Sequence, residues 1–429
     1  MNLKPAFFFV LIAFCTAHAS AAIIGTNIPS SPLTIERINA LPADQQAVWK
    51  NYLERSQHQM QADRDFLSGE MKAHGVKTSI KPPSSNSAKS IPLENPADWY
   101  GGTEARRVAD IIVSFQTPAG GWSKNLNMAK HVRAPGEAFA IDNIPAKLGA
   151  ADNDTPRDAG WSYVGTIDND ATTTQLRFLA KVISTSKTEN GAWRKSFLHG
   201  LDYLFAAQYP NGGWPQVWPL QGGYHDAITL NDDAMLNVLE LLHAVAGGQN
   251  EFSFVPAEVR AQAAASFRRG MDCVLAAQIS VNGRRTAWCQ QYDALTLQPA
   301  SARNYEMPSE SSSESASLVL FLMQLPDPNS AEIAAVRAAA AWFGKTKIEG
   351  KAYKPVSGKG RELIDAPGSV VWSRYYEIGT DRPIYGDRDK TIHDDISEIS
   401  KERRNGYGWF RDTPKRLLEH FPRWSAEHP

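Results

Sequence analysis

Gly200-Leu201-Asp202-Tyr203-Leu204-Phe205-Ala206-Ala207-Gln208 and Gly270-Met271-Asp272-Cys273-Val274-Leu275-Ala276-Ala277-Gln278 are one helical phrase written twice. A shorter version runs from Asp110 to Gln116. Each phrase ends in Gln and leads into a turn: Gly120-Gly121-Trp122, Gly212-Gly213-Trp214, and a weaker Asn282-Gly283. Between the phrases lie apolar residues at helical spacing: Leu176, Leu179, Ala180 and Ile183, then Met235, Val238, Leu239 and Leu242, then the run Leu318 to Leu325. A helix, a Gly-Gly-Trp turn and a second helix, repeated at least three times, predict an all-α fold. The architecture expected is an α/α toroid-like helical barrel of repeated helix-turn-helix units. Strand signals are few, and a small irregular or β-containing insertion is expected near the C-terminus, where Tyr, Trp, Arg and Pro crowd residues 370 to 411.

Outward from the repeats, the catalytic domain is placed at 95–429. Residues 22–94 read as an N-terminal helical extension and linker, with Ile38, Leu41, Val48, Leu53 and Phe66 as anchors and Lys81 to Ser87 as a Pro/Ser-rich connection. Residues 1–21 read as a signal peptide: Lys4, an apolar run from Ala6 to Phe14, then the small residues Ala17, Ala19 and Ala21. A secreted or periplasmic protein is therefore expected. No later stretch has the roughly 18 apolar residues of a spanning helix, so no membrane partner is expected. A net charge of −1 gives no sign of nucleic-acid binding, so any polyanion site must be local. Beyond Cys15, only Cys273 and Cys289 remain, as a bridge or as two buried thiols. A monomer is the default.

Three helix starts share acids or hydroxyls: Asp168-Asn169-Asp170-Ala171-Thr172, Asn231-Asp232-Asp233-Ala234, and Ser311-Ser312-Ser313-Glu314-Ser315. Helix capping explains any one of them. It does not explain two carboxylates at each of the first two, because like charges gathered at one mouth must protonate, repel or hold a cation. Oxygen donors without His or Cys suit a hard ion such as Ca²⁺. The run Gly212 to Leu220 holds Trp214 and Trp218 and reads either as core cover or as an aromatic sugar platform. Arg303-Asn304-Tyr305-Glu306 and Arg374-Tyr375-Tyr376-Glu377, with Arg382 and Arg388, set arginines among aromatics, where guanidinium grips carboxylates and stacks on rings. Acids for a cation plus arginines for anions point to an acidic sugar polymer.

Gly121-Trp122-Ser123-Lys124-Asn125, Thr166 to Asn169, Gly213 to Gln216, Gly222 to Thr229, Asn231 to Met235 and Arg374 to Pro383 together resemble family 10 pectate lyases over residues 95 to 412. The resemblance implies Ca²⁺-assisted β-elimination of 1,4-α-galacturonan. It implies Asp168 and Asp233 as carboxylates serving calcium and catalysis, with Asp232 and Asp170 as further calcium ligands. It also implies Arg303 as catalytic base, with Arg374, Arg388, Lys124, His225, Asn169 and Trp214 binding substrate. Asp170 departs from the family's Gly. An arginine base is awkward: with a pKa of ~12.5, roughly one in 3,000 is neutral near pH 9. Neighbouring cations are expected to raise that fraction, giving an alkaline optimum. Two rivals remain: a glycoside hydrolase on the same helical barrel, using Asp168 and Asp233 as acid and base, or a non-catalytic oligogalacturonate binder.

Overall fold

The structure, a computed structural model, describes residues 23–84, 91–141, 164–186 and 191–429. The signal-peptide reading of 1–21 and the end of the linker at Ser85, Asn86 and Ser87 lie outside the described residues. Eleven α-helices occur among the described residues: α1 (Ile35–Asn39), α2 (Ala43–Ala73), α3 (Thr103–Ser114), α4 (Thr173–Thr185), α5 (Gly191–Ala207), α6 (Ala234–Gly247), α7 (Ala257–Ala277), α8 (Ser312–Leu322), α9 (Ser330–Thr346), α10 (Lys401–Gly406) and α11 (Thr413–Glu427).

The sequence phrase maps onto α3, α5 and α7, and its three fixed residues each have a physical task. The indole N–H of Trp122 donates to the Ile112 carbonyl at 2.8 Å, four residues before Gln116. Trp214 repeats this on Leu204 at 2.8 Å and Trp288 on Val274 at 2.7 Å. Trp372 does the same to Phe343 of α9 at 2.9 Å, a fourth unit that the sequence phrase does not announce. Gln116 and Gln208 each donate to the turn glycine carbonyl four residues on and to a carbonyl of the next helix in this outer series, Ser196 and Ser266. Gly200 and Gly270 give the tryptophans room: a Cβ at Gly270 would lie 2.7 Å from Trp214 Cζ3 and 2.6 Å from Leu239 Cδ2. Inner helices α4, α6 and α8 pack in succession, and α11 closes on α8 and α9. Helix α6 buries Met235, Leu236, Val238, Leu239, Leu241, Leu242 and Val245 around most of its circumference, as an inner helix must.

The fold is nonetheless not all-α, and the toroid expectation is corrected by five small sheets among the described residues. The largest pairing is the antiparallel hairpin Ile348–Val356 with Gly360–Ser373, extended by Phe410–Arg411. It begins before the stretch expected to hold the β insertion. Other strands are two or three residues long and join connecting loops, such as Ile228–Thr229 with Gln291–Tyr292 and Glu310–Ser311 with Tyr375–Tyr376. Strands this short carry no two-residue hydrophobic alternation, which is why the periodicity misses them.

The N-terminal extension is a strap on the helical body. Leu33, Ile38, Trp49 and Tyr52 join the main core cluster. The Tyr52 hydroxyl donates to the Ala207 carbonyl at 2.7 Å, and the rings of Trp49 and Tyr52 lie on Tyr209. Cys273 and Cys289 are buried free thiols.

Candidate active site

The helices α4 and α6 are entered through matching left-handed turns. Asn169, Asp170, Asp232 and Asp233 have φ of 49°, 60°, 50° and 59°. Asn and Asp tolerate this region best among residues with a Cβ, and strain of this kind concentrates at functional sites. The turns align Asp168 with Asn231, Asn169 with Asp232, and Asp170 with Asp233. No side-chain cap bond forms at the N-terminus of α4, α6 or α8, so capping does not account for the acids.

Asp168 is buried, with one carboxylate oxygen paired to Lys124 and the other, Oδ1, buried without a close hydrogen-bond partner among the described residues, though the Gln216 side chain also favours its charge. Burial pushes its pKa up, but Lys124 and the charge of Arg303 outweigh that and hold it below the usual range. Asp170, Asp232 and Asp233 shift the other way. Partial removal from water is the leading cause for each, reinforced by repulsion from Asp168 for the first and from Asp168 and Glu314 for the second. Asp233 is pushed up to about 7, with Glu314, Asp232 and Asp170 as repelling neighbours. Asp170 also accepts from Asn237 at 2.8 Å. An orphaned buried oxygen and carboxylates that repel one another, with no sulfur or imidazole among them, fit a hard divalent cation. Among the described residues no three acids, histidines or cysteines converge as a complete cage. The protein's share of such a site would thus be partial.

The arginines divide into two kinds. Arg374 is buried; it pairs with Glu314 and reaches Asn231 Oδ1 at 3.2 Å and Asp232 Oδ1 at 3.5 Å. Its place is beneath the turn before α6, not on an open surface. Arg303 keeps 29% of its side chain exposed and makes a two-point pair with Glu306, whose carboxylate also accepts from the Tyr407 hydroxyl at 2.7 Å. Burial disfavours its charge, but Glu306 and the phenols of Tyr305 and Tyr407 prevail and raise its pKa well above the ordinary value. The sequence expectation is that neighbouring cations raise the neutral fraction of Arg303; in the structure Glu306, paired directly with it, acts in the opposite direction. Burial likewise opposes the Glu306 charge, yet Arg303 holds that carboxyl down at about 2. The ring of Tyr305 is ringed by three guanidiniums, with Arg303, Arg388 and Arg403 at 5.0, 5.6 and 4.4 Å from its centre. Arg388 and Arg403 share Glu402.

Of the other expected site residues, two lie at the first acid turn and two are buried elsewhere. Lys124 lies against Asp168, and Asn169 donates to Asn125 at 3.4 Å beside it. His225 is buried and stacks on Tyr224 at 4.1 Å. Trp214 is fully buried in the core, so it offers no ring face to a sugar, and that expectation is corrected. Sequence reading passed over the roles of Glu306, Glu314, Arg403 and Tyr407. Two of these lay inside motifs already singled out, but an ion-pair partner is revealed by proximity and not by spacing.

A family model described as pectic acid lyase matches residues 116–418. The chain belongs to the pectic acid lyase family. It is an enzyme, a pectate lyase. Among solved structures it is similar to a family 10 polysaccharide lyase from Cellvibrio cellulosa, at 30% identity and a TM-score of 0.65, covering 80% of this chain and 99% of that one. A point mutant of a Cellvibrio cellulosa family 10 lyase, in complex with trigalacturonic acid, is similar at 31% identity and a TM-score of 0.64, covering 79% and 99%. No curated protein matches the chain. The family match begins after the strap formed by α1 and α2, which this pectate lyase carries outside the shared region.

Proposed function

We propose that this pectate lyase cleaves 1,4-linked α-galacturonan by calcium-assisted β-elimination, at the mouth formed by the two left-handed acid turns and the Tyr305 arginine cluster. The observation that carries the reading is that repelling carboxylates and the Arg303 guanidinium share one site, since the charge of Arg303 reaches both Asp168 and Asp232. That arrangement serves a substrate which is itself a carboxylate. Asp168, Asp170, Asp232 and Asp233 are the set from which Ca²⁺ would draw its protein ligands, fewer than three of them converging as the structure stands, and its charge at the substrate carboxylate would acidify the C5 proton. Arg388 binds and orients the sugar carboxylate, with Lys124 and Asn169 at the edge; Arg374 supports the acid turn before α6 from beneath through Glu314 and Asp232. The base takes the C5 proton, that bond's electrons form the C4–C5 double bond, and the C4–O bond breaks. The departing oxygen takes a proton from water.

Arg303 is the first candidate for base, and it must leave Glu306 to present a lone pair within about 3 Å of C5. A specific observation favours Arg388 as a second reading: its bonds to Glu402 are longer, at 3.0 and 3.3 Å, and Glu402 is shared with Arg403. The protein is proposed to act as an exported monomer, with residues 1–21 removed, 22–94 as extension and 95–429 as catalytic domain.

The test is near-ultraviolet absorbance during incubation with polygalacturonate at alkaline pH, with Ca²⁺ and then with EDTA. A calcium-dependent rise supports elimination; reducing ends without absorbance would make the enzyme a hydrolase, and neither change would leave a binder. Arg303→Lys and Arg388→Lys then assign the base, since the true base loses most turnover while the fold is kept. Wild-type turnover in one of them removes that arginine from the role.

A further inference from the structure

We propose that Asn27, in the segment ahead of the family-matched region, is a positioning residue that sets the two candidate site arginines relative to each other. The inference rests on the reading that Arg303 and Arg388 act on the substrate. Asn27 is buried, and its side-chain amide donates to two successive carbonyls, those of Arg303 at 3.0 Å and Asn304 at 2.9 Å. Its backbone N–H donates to the Lys390 carbonyl at 2.8 Å, two residues past Arg388. One residue thus holds both arginine loops. The side chain of Asn304 completes the circuit by donating to the Arg388 carbonyl at 2.6 Å.

The rest of the segment is built to deliver Asn27 there. Gly25–Thr26 pairs antiparallel with Thr391–Ile392, and Ile24 N–H donates to the Ile392 carbonyl at 2.9 Å. On the other side the Ser301 hydroxyl bonds the Ile28 carbonyl. The two loops also meet directly, since a Cβ on Gly386 would lie 2.6 Å from the Tyr305 carbonyl oxygen. The chemistry demands an amide at position 27. Two carbonyl oxygens need two N–H donors from one atom, and Asn supplies them; a carboxylate of the same shape would set oxygen against oxygen. The other end of the amide, Oδ1, is buried without a partner among the described residues, so the two carbonyls set its orientation. Backbone held this way fixes where each guanidinium starts, and misplacement of about 1 Å costs roughly 10²-fold in rate.

The test uses the full chain carrying Asn27→Asp, which keeps the shape and loses the donors, and Asn27→Ala. Turnover on polygalacturonate, KM, the pH–rate profile and the thermal midpoint are measured beside Arg37→Ala. That control cuts the same extension's ion pair to Asp293 away from the arginines. Expected is a fall in kcat of about 10- to 100-fold in both Asn27 variants, with KM changed less than about threefold, and an altered pH profile. Arg37→Ala is expected to keep kcat within about twofold whatever it does to the midpoint. Folded Asn27 variants with kcat within twofold of wild type overturn the proposal. Should neither fold, Ser301→Ala, which removes only the hydroxyl bond to Ile28, reads the same coupling; an unchanged kcat there overturns it as well. Arg303→Lys and Arg388→Lys are assayed in parallel. If both keep turnover, the functional reading itself has failed; if they lose it while Asn27→Asp does not, only the positioning role has.

Discussion

Glu306 decides what Arg303 can do. Its carboxylate meets the guanidinium at two points and is held ionised down to about 2, so in the resting enzyme Arg303 stays protonated. Glu306→Gln removes that anion and lowers the Arg303 pKa toward its burial-dominated value. If Arg303 is the base, the ascending limb of the pH–rate profile moves to lower pH in this variant; if Arg388 is the base, the limb stays where it was. The variant is expected to lose about 1–3 kcal/mol of stability, below the roughly 3–5 kcal/mol of a fully buried broken pair, because water reaches the 29% of Arg303 that is exposed. At this scale the sequence was half legible. The acids before α4 and α6 stand out because two carboxylates exceed what a cap needs. Their partners do not, since Glu314 meets Arg374 across 60 residues. Trp214 misled because an aromatic after Gly-Gly looks the same whether it covers a core or faces a sugar.

The repeated unit sets the next scale. Its helices were readable from 3.6-residue periodicity and from the Gly-to-Gln phrase, since each fixed residue serves one contact. Gly270→Ala tests that directly: the added Cβ would press on Trp214 and Leu239 at 2.7 and 2.6 Å. Overpacking of about 1–3 kcal/mol exceeds the ~1 kcal/mol gained in helix propensity, so a net loss of about 1 kcal/mol is expected in denaturant unfolding. A variant as stable as wild type would mean the tryptophan contact is slack. The left-handed turns make a second prediction. The native pKa of Asp233, about 7, stands above its unfolded value of ~3.9. Such a group favours the fold fully below pH ~4 and loses that contribution as pH rises through about 7. Ca²⁺, bound by the ionised turns as proposed, would oppose this loss. The gain in thermal midpoint on adding Ca²⁺ should therefore be larger at pH 8 than at pH 5. Saturation at about 100 times Kd is worth roughly 2.7 kcal/mol. An equal shift at both pH values would take Asp233 out of the calcium site.

The whole molecule is tied together by the strap that the sequence treats as an appendage. A polar 31-residue helix with few apolar anchors looks dispensable when read alone. In three dimensions its buried residues Trp49, Tyr52, Ser56 and Asp63 form a narrow stripe at spacings of three, four and seven, and that stripe lies along the backs of the repeat turns. Tyr52 bonds Ala207, Ser56 accepts from the Leu220 N–H at 2.8 Å, and Arg37 pairs with Asp293, so successive turns are held by one helix and its short leader. Periodicity cannot show this, because a stripe one residue wide gives almost no amphipathic signal. A strap whose anchors belong to the main core should melt with it. Trp49→Ala is therefore expected to cost about 3–5 kcal/mol, as for a buried tryptophan, and to lower the single calorimetric transition of the entire chain. A separate low-temperature transition, or a main transition left in place, would show that the extension unfolds on its own and that the catalytic domain does not depend on it.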